Sequence, residues 1–148
     1  MGHGLYTQAV IDHHRAPRHF GSLDAPTHTA DGANPLCGDA LRFELAITGD
    51  TIDALRFRGE ACAIAIATAS MLSELALGQT AAQIERIENE FVRAISGEPA
   101  RAEILGGLGA MSALAAHPVR RKCALLPFAT LRAAMRGQLA ATTEDRKP

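Results

Sequence analysis

The chain has 148 residues, 47% of them apolar and only 4% aromatic, with no Trp and a formal net charge of −1. That balance supplies no basic face for nucleic acid, and no run approaches the roughly 18 apolar residues that a membrane span needs. A single domain is expected, burying roughly 68–70% of the unfolded surface in a core of Ala, Leu, Ile and Val. The opening MGHGLYTQAV holds no signal-peptide core, and Tyr6 stands where a myristoylation motif wants Ser or Thr. A cytoplasmic location is expected.

Residues 5–15, LYTQAVIDHHR, predict a short helix with Leu5, Val10 and Ile11 on its apolar side and Pro17 as its stop. Residues 16–33 carry Pro17, Gly21, Pro26 and Gly32 and predict loop or edge strand. Residues 41–48 alternate, with Leu41, Phe43, Leu45 and Ile47 opposing Arg42, Glu44 and Thr48. After Gly49-Asp50, residues 51–58 run back, so the pair predicts an antiparallel hairpin that Gly59 ends. Residues 61–77 are almost wholly apolar and predict a helix buried on most sides, stopped at Gly78.

Thr80 and Gln83 form a capping box for the next helix. There Ile84, Ile87, Phe91 and Ile95 recur at helical spacing, and Glu85, Arg86, Glu88 and Glu90 are expected to face water. For residues 97–118, with the run LGGLG, a short helix and a mobile loop both stay open. A last helix is expected from Pro118 to about Arg136, kinked or restarted at Pro127. The tail 141–148 is expected to be disordered, leaving residues 1–140 as the domain. The order of elements implies an α+β fold, a small antiparallel β-sheet covered by a layer of helices.

The three cysteines, Cys37, Cys62 and Cys123, are too few and odd in number for a disulfide framework. A small buried hydrophobe is the commonest fate of such a residue. Yet each falls at an element boundary, where chain segments converge. Cys62 opens the buried helix and feels the positive end of its dipole; Cys123 follows Arg120, Arg121 and Lys122. Both settings favour thiolate, the form that binds metal and attacks sulfur. In NPLCGD, residues 34–39, an extended or a turn geometry puts Cys37 and Asp39 on one side, and Gly38 permits the chain to fold tightly. Cys37, Asp39, Cys62 and Cys123 thus offer three thiolates and a carboxylate, a tetrahedral zinc set in which the oxygen donor makes the site labile. His117 is the rival donor; His13 and His14 are expected on the surface or in loop packing.

These motifs resemble the U-type iron–sulfur cluster assembly family, comprising IscU, the NifU N-terminal domain and SufU. The resemblance lies in NPLCGD at 34–39, FRGEACAIAIATASML at 57–72, RRKCALL at 120–126 and the opening YTQAVIDHHRAPRHFG. Lys122 before the third cysteine, in place of the His of IscU types, is similar to SufU. So are the lack of a Leu-Pro-Pro-Val-Lys segment and the long Cys62–Cys123 interval. The resemblance implies Zn2+ bound by Cys37, Asp39, Cys62 and Cys123. It also implies sulfur taken from the persulfide of a PLP-dependent cysteine desulfurase of the SufS type. In that mechanism a desulfurase histidine replaces Cys37 on the zinc and frees its thiolate to accept the persulfide sulfur, with Arg120 in support. The sulfur would pass to a downstream Fe–S scaffold or to apo-proteins. The alternative is that the same residues carry an Fe–S cluster assembled on this chain as scaffold. A zinc hydrolase ranks last, since Glu60 is the only general base near the motifs.

Overall fold

The alternating segments 41–48 and 51–58 become the middle and one edge of a four-stranded sheet. The computed structural model describes residues 4–143. In chain order these form α1 (Gln8–Arg15), β1 (His28–Asn34), β2 (Asp39–Thr48), β3 (Thr51–Glu60), α2 (Ala63–Ala76) and α3 (Ala81–Ile95). Then follow α4 (Ala102–Leu105), a 3₁₀ helix (Gly106–Ala116), α5 (Pro118–Met135) and β4 (Ala140–Thr142). The strand order is β3-β2-β1-β4. β2 pairs antiparallel with both β1 and β3, and a register shift interrupts the hairpin at Ala46/Ile47. Helices cover the face bearing Leu41, Phe43, Leu45, Leu55 and Phe57, all buried.

The structure revises the expectation for residues 16–33. His28–Asn34 is an internal strand, flanked by β2 and β4. Its sequence, HTADGAN, hides the strand because its inward positions are the small or polar Ala30, Gly32 and Asn34. Helix α5 lies so close that a Cβ on Gly32 would sit 1.9 Å from Thr130 Oγ1 and 3.2 Å from Leu126 Cδ1. Only the backbone fits beneath that helix.

The expected tail is also corrected. Ala140–Thr142 add a parallel strand to β1, with Asp31 opposite Ala140, and Thr143 is fully buried. Residues 144–148 lie outside the described residues. The 97–118 segment is ordered: in the 3₁₀ helix Leu108, Met111 and Leu114 are all fully buried. Their interval of three matches the three-residue turn of that helix. Pro127 neither ends nor restarts α5; its missing N–H instead leaves the Cys123 carbonyl, four residues back, without its helical partner.

Helix α2 is buried from Ile64 to Ser73, and the capping box of Thr80 and Gln83 opens α3 in both directions. Glu88, however, turns inward, 4% exposed, and its Oε1 lies 2.8 Å from Arg132 Nε on α5. Glu44 is likewise buried, taking hydrogen bonds from Arg42, Arg58 and the Leu23 N–H. Among the described residues no helix is long and apolar enough to cross a membrane.

β3 passes close to β2 at Gly59, whose φ is +152°. A Cβ there would meet the Ala40 carbonyl oxygen at 2.1 Å and Leu41 Cα at 2.9 Å. These are backbone atoms that no rotamer change can move. Gly59→Ala is expected to destabilise the fold by about 1–3 kcal/mol, read as a lower urea midpoint at unchanged m-value.

Candidate metal centre

Several chain segments meet at one end of the sheet. β1 ends and β2 begins at a facing pair, Asn34 opposite Asp39, on the helix-covered side. The intervening turn, Pro35 to Gly38, is closed by the Cys37 N–H on the Asn34 carbonyl (3.1 Å) and the Gly38 N–H on the Pro35 carbonyl (3.3 Å). Gly38, at φ +69°, takes the left-handed conformation that folds Cys37 back over the strand ends. Of the two geometries the sequence left open, it is the turn that places Cys37 beside Asp39.

Asp39 is 3% exposed. Its Oδ1 accepts the backbone N–H of Cys62 at 2.9 Å, and its Oδ2 accepts Asn34 Nδ2 at 3.4 Å. Cys123, fully buried in α5, lies with Sγ 3.3 Å from Cys37 Sγ and 3.7 Å from Asn34 Nδ2. The donor atoms of Cys37, Asp39 and Cys123 all fall within 4.8 Å of one another. Cys62 is not in that set. It occupies the N-cap of α2 and joins the corner through a thiol–thiol hydrogen bond to Cys123.

The two thiols of that bond are polarised oppositely. Cys62 is lowered to about 6 by the Cys123 S–H, with the amides of Ala65 and Ile64 at the start of α2 adding to the effect against burial. Cys123 is pushed far up by its bond to Cys62 and by desolvation, then by Cys37. Without a metal, this hydrogen bond favours the charge on Cys62 and the proton on Cys123. Arg120 balances this charge: Tyr6 raises it first and, against burial, Cys62 and Cys123 raise it further.

The basic run divides its work. Arg121 donates from Nε to the Leu114 carbonyl and from Nη2 to the Ala115 carbonyl, closing the end of the 3₁₀ helix. Lys122 lines a groove with Cys37. The rival donor His117 is exposed at the N-cap of α5, apart from the cluster. Glu60 is exposed at the end of β3. His13 does pack, with Nδ1 2.7 Å from Ser70 Oγ. Asn34 was not singled out from sequence, although it opens the NPLCGD stretch and the hairpin register sets it opposite Asp39. Its Oδ1 is buried with no hydrogen-bond partner among the described residues.

Zinc–thiolate bonds of about 2.3 Å put tetrahedral sulfur donors about 3.8 Å apart. The 3.3 Å thiol contact and the 4.8 Å outer limit bracket that spacing. Two thiols and a carboxylate at that span, with a third thiol bonded to them, fit a small thiophilic ion.

Thiols from a hairpin turn, a helix N-cap and a second helix, gathered round a buried carboxylate, define a thiolate-centred α+β domain. The chain belongs to the NifU-like N-terminal domain family, whose model matches residues 5–124. It is thus a member of the SufU, IscU and NifU group of iron–sulfur cluster assembly proteins, as its cysteine motifs implied. It is 33% identical over 131 residues to the zinc-dependent sulfurtransferase SufU of Bacillus subtilis, covering 86% of each chain. To the iron–sulfur cluster assembly scaffold protein IscU of Streptococcus pyogenes it is 30% identical over 134 residues, covering 89% of this chain and 83% of the relative. A crystal structure described as a putative iron–sulfur cluster assembly scaffold protein for the SUF system, from Fervidobacterium islandicum, superposes with a TM-score of 0.84. It is 25% identical, and the match covers 91% of this chain and 99% of that one.

In chelator-treated protein, one thiolate should appear by ultraviolet absorbance with a midpoint near pH 6, vanish in Cys62→Ser and move upward in Cys123→Ser. The linkage has a definite sign. Cys62 loses its proton below the usual thiol value of 9.0, so stability rises with pH from about 6 towards 9. Above that, Cys123 keeps a proton that the unfolded chain releases, and stability falls.

Proposed function

We propose that this protein accepts sulfur from a PLP-dependent cysteine desulfurase on Cys37, at a zinc site formed by Cys37, Asp39, Cys62 and Cys123. The observation that carries the reading is the unequal anchoring of the four donors. Asp39 is tied by two hydrogen bonds, Cys62 is fixed at a helix N-cap, and Cys123 is buried in α5. Cys37 alone rides on a short turn, and like Cys62 it is only half-buried. It is the donor that can swing out without dismantling the corner. The relative described as a zinc-dependent sulfurtransferase supports the same reading.

Zinc, when bound, holds its cysteines as thiolates at neutral pH. The Cys37 thiolate attacks the outer sulfur of the donor's Cys–S–SH. The donor's S–S bond breaks, its cysteine leaves as thiolate with the electron pair, and Cys37 becomes the persulfide. Oxidation level is conserved, so no reductant enters the step. Arg120 offsets the negative charge shared by Cys62 and Cys123 and stays protonated throughout. The sulfur then passes to a downstream Fe–S scaffold or apo-protein. Three free thiols suit the reducing cytoplasm.

Metal content and absorption of protein purified without air or added iron test this reading. About one colourless zinc per chain, lost in Asp39→Ala, is expected; a brown protein with iron and labile sulfide would establish the scaffold reading instead. Cys37→Ala should abolish sulfur acceptance, and full desulfurase stimulation by that variant would refute the role of Cys37. Asn34→Ala should weaken metal binding by about 10–100-fold in a chelator competition, because it removes a hydrogen bond that orients Asp39.

A further inference from the structure

Asn34 touches three of the four donors, yet half of its side-chain amide is used by none of them. Its backbone carbonyl accepts the Cys37 N–H at 3.1 Å, and its Nδ2 meets Asp39 and Cys123. The residue is 1% exposed, and its Oδ1 is buried with no hydrogen-bond partner among the described residues. A buried acceptor left unpaired is costly, and one set among metal donors points to a cation as its missing partner.

The spacing agrees. Asn34 Nδ2 lies 3.4 Å from Asp39 Oδ2 and 3.7 Å from Cys123 Sγ. The first is long for an N–H···O bond, which usually measures about 2.7–3.2 Å. Both distances suit ligands of one ion better. Around a tetrahedral zinc, with oxygen at about 2.0 Å and sulfur at about 2.3 Å, two oxygens stand about 3.3 Å apart, and an oxygen and a sulfur about 3.5 Å. A half-turn about Cβ–Cγ exchanges the amide nitrogen and oxygen in place, and in asparagine that torsion is soft and roughly two-fold. It sets Oδ1 at those spacings. An amide oxygen is a neutral, hard donor, weaker towards zinc than a thiolate. It can hold the place that Cys37 leaves and yield it when the thiolate returns, and no proton changes hands. His117, the other donor weighed from sequence, is exposed and apart from the cluster.

We infer that Asn34 is a reserve zinc ligand, whose Oδ1 takes the coordination place of Cys37 when that thiolate swings out. The inference rests on the reading of a zinc site from which Cys37 departs. It gives the free chain its own means of keeping the ion while the acceptor thiol is away.

Zinc affinity by chelator competition in Cys37→Ala, which fixes the departed state, tests the reserve ligand. Circular dichroism checks that each variant is folded. Asn34→Ala added to Cys37→Ala should weaken zinc binding by roughly ten-fold or more beyond the product of the two single effects. Asn34→Asp keeps the oxygen and loses the N–H. In Cys37→Ala it should leave zinc bound as tightly or more tightly. With Cys37 present it should weaken binding, because the bond to Asp39 is lost and two carboxylates then face each other. With cobalt(II) in place of zinc, Cys37→Ala should keep the strong visible absorption of a four-coordinate ion, and its Asn34→Ala double variant should lose it. Single effects that multiply within about two-fold, with Asn34→Asp weakening both backgrounds alike, would make Asn34 only an orienting partner of Asp39 and overturn the inference. So would loss of zinc from Cys37→Ala itself. Either result leaves the zinc reading of the wild-type protein standing. Wild-type protein that binds no zinc would overturn the site and the reserve ligand together.

Discussion

One buried carboxylate holds the working end of this molecule together. Asp39 is the first residue of β2, and its two oxygens bind Asn34 on β1 and the main chain of Cys62 at the start of α2. A carboxylate out of water is costly unless its oxygens are satisfied, and here each has a donor. The bond to the Cys62 amide also places negative charge at the N-terminus of a helix, where the dipole favours it. Remove Asp39 and β1 and the start of α2 lose their common partner at once. The thiols stay in the chain but lose the framework that makes them neighbours.

The remaining thiol arrives by packing. Helix α5 crosses β1 antiparallel, with Thr130 and Leu126 resting on Gly32. Seven residues before Thr130, on the same side of the helix, Cys123 reaches Asn34. The core of α5 and the metal corner are one continuous interface, which is why a glycine in a strand contributes to the position of a sulfur atom. Arg121 steadies the approach by fastening the start of α5 to the 3₁₀ helix before it.

Charge is distributed so that the corner can change one donor while the others hold. The hydrogen bond between Cys62 and Cys123 favours charge on Cys62, and Arg120 faces both. Cys37 stands at the outer rim, next to Leu36 and Lys122. A fully enclosed tetrahedron of equally buried ligands would favour permanent structural binding. The unequal anchoring here, with Cys37 on a turn and Cys62 and Cys123 on helices, favours exchange at one position. That is the physical basis for preferring a carrier of sulfur to a purely structural site.

Much of this was legible in the chain. The hairpin declared itself through period-two alternation, α2 through an uninterrupted apolar run, and α3 through Thr80 and Gln83. Cys37, Asp39, Cys62 and Cys123 stood out as candidate donors by residue type and by their place at element ends, and the motifs carried the family. What stayed hidden shares one cause. β1 lacks a large-residue pattern because α5 leaves room only for Gly32, and β4 is too short to show a period. The 3₁₀ helix buries Leu108, Met111 and Leu114 at an interval of three, which a search for 3.6 overlooks. Glu88 looked like solvent-facing charge until Arg132 met it from another helix. The sequence by itself determined which donor atoms exist and which local elements carry them, because those depend on neighbours along the chain. Only the tertiary structure decided that Asn34 bridges Asp39 and Cys123, that Arg120 faces the thiols while Arg121 does not, and that Cys37 sits on a turn while Cys62 and Cys123 are held by helices. Those outcomes depend on contacts between residues tens of positions apart, and no local period encodes them.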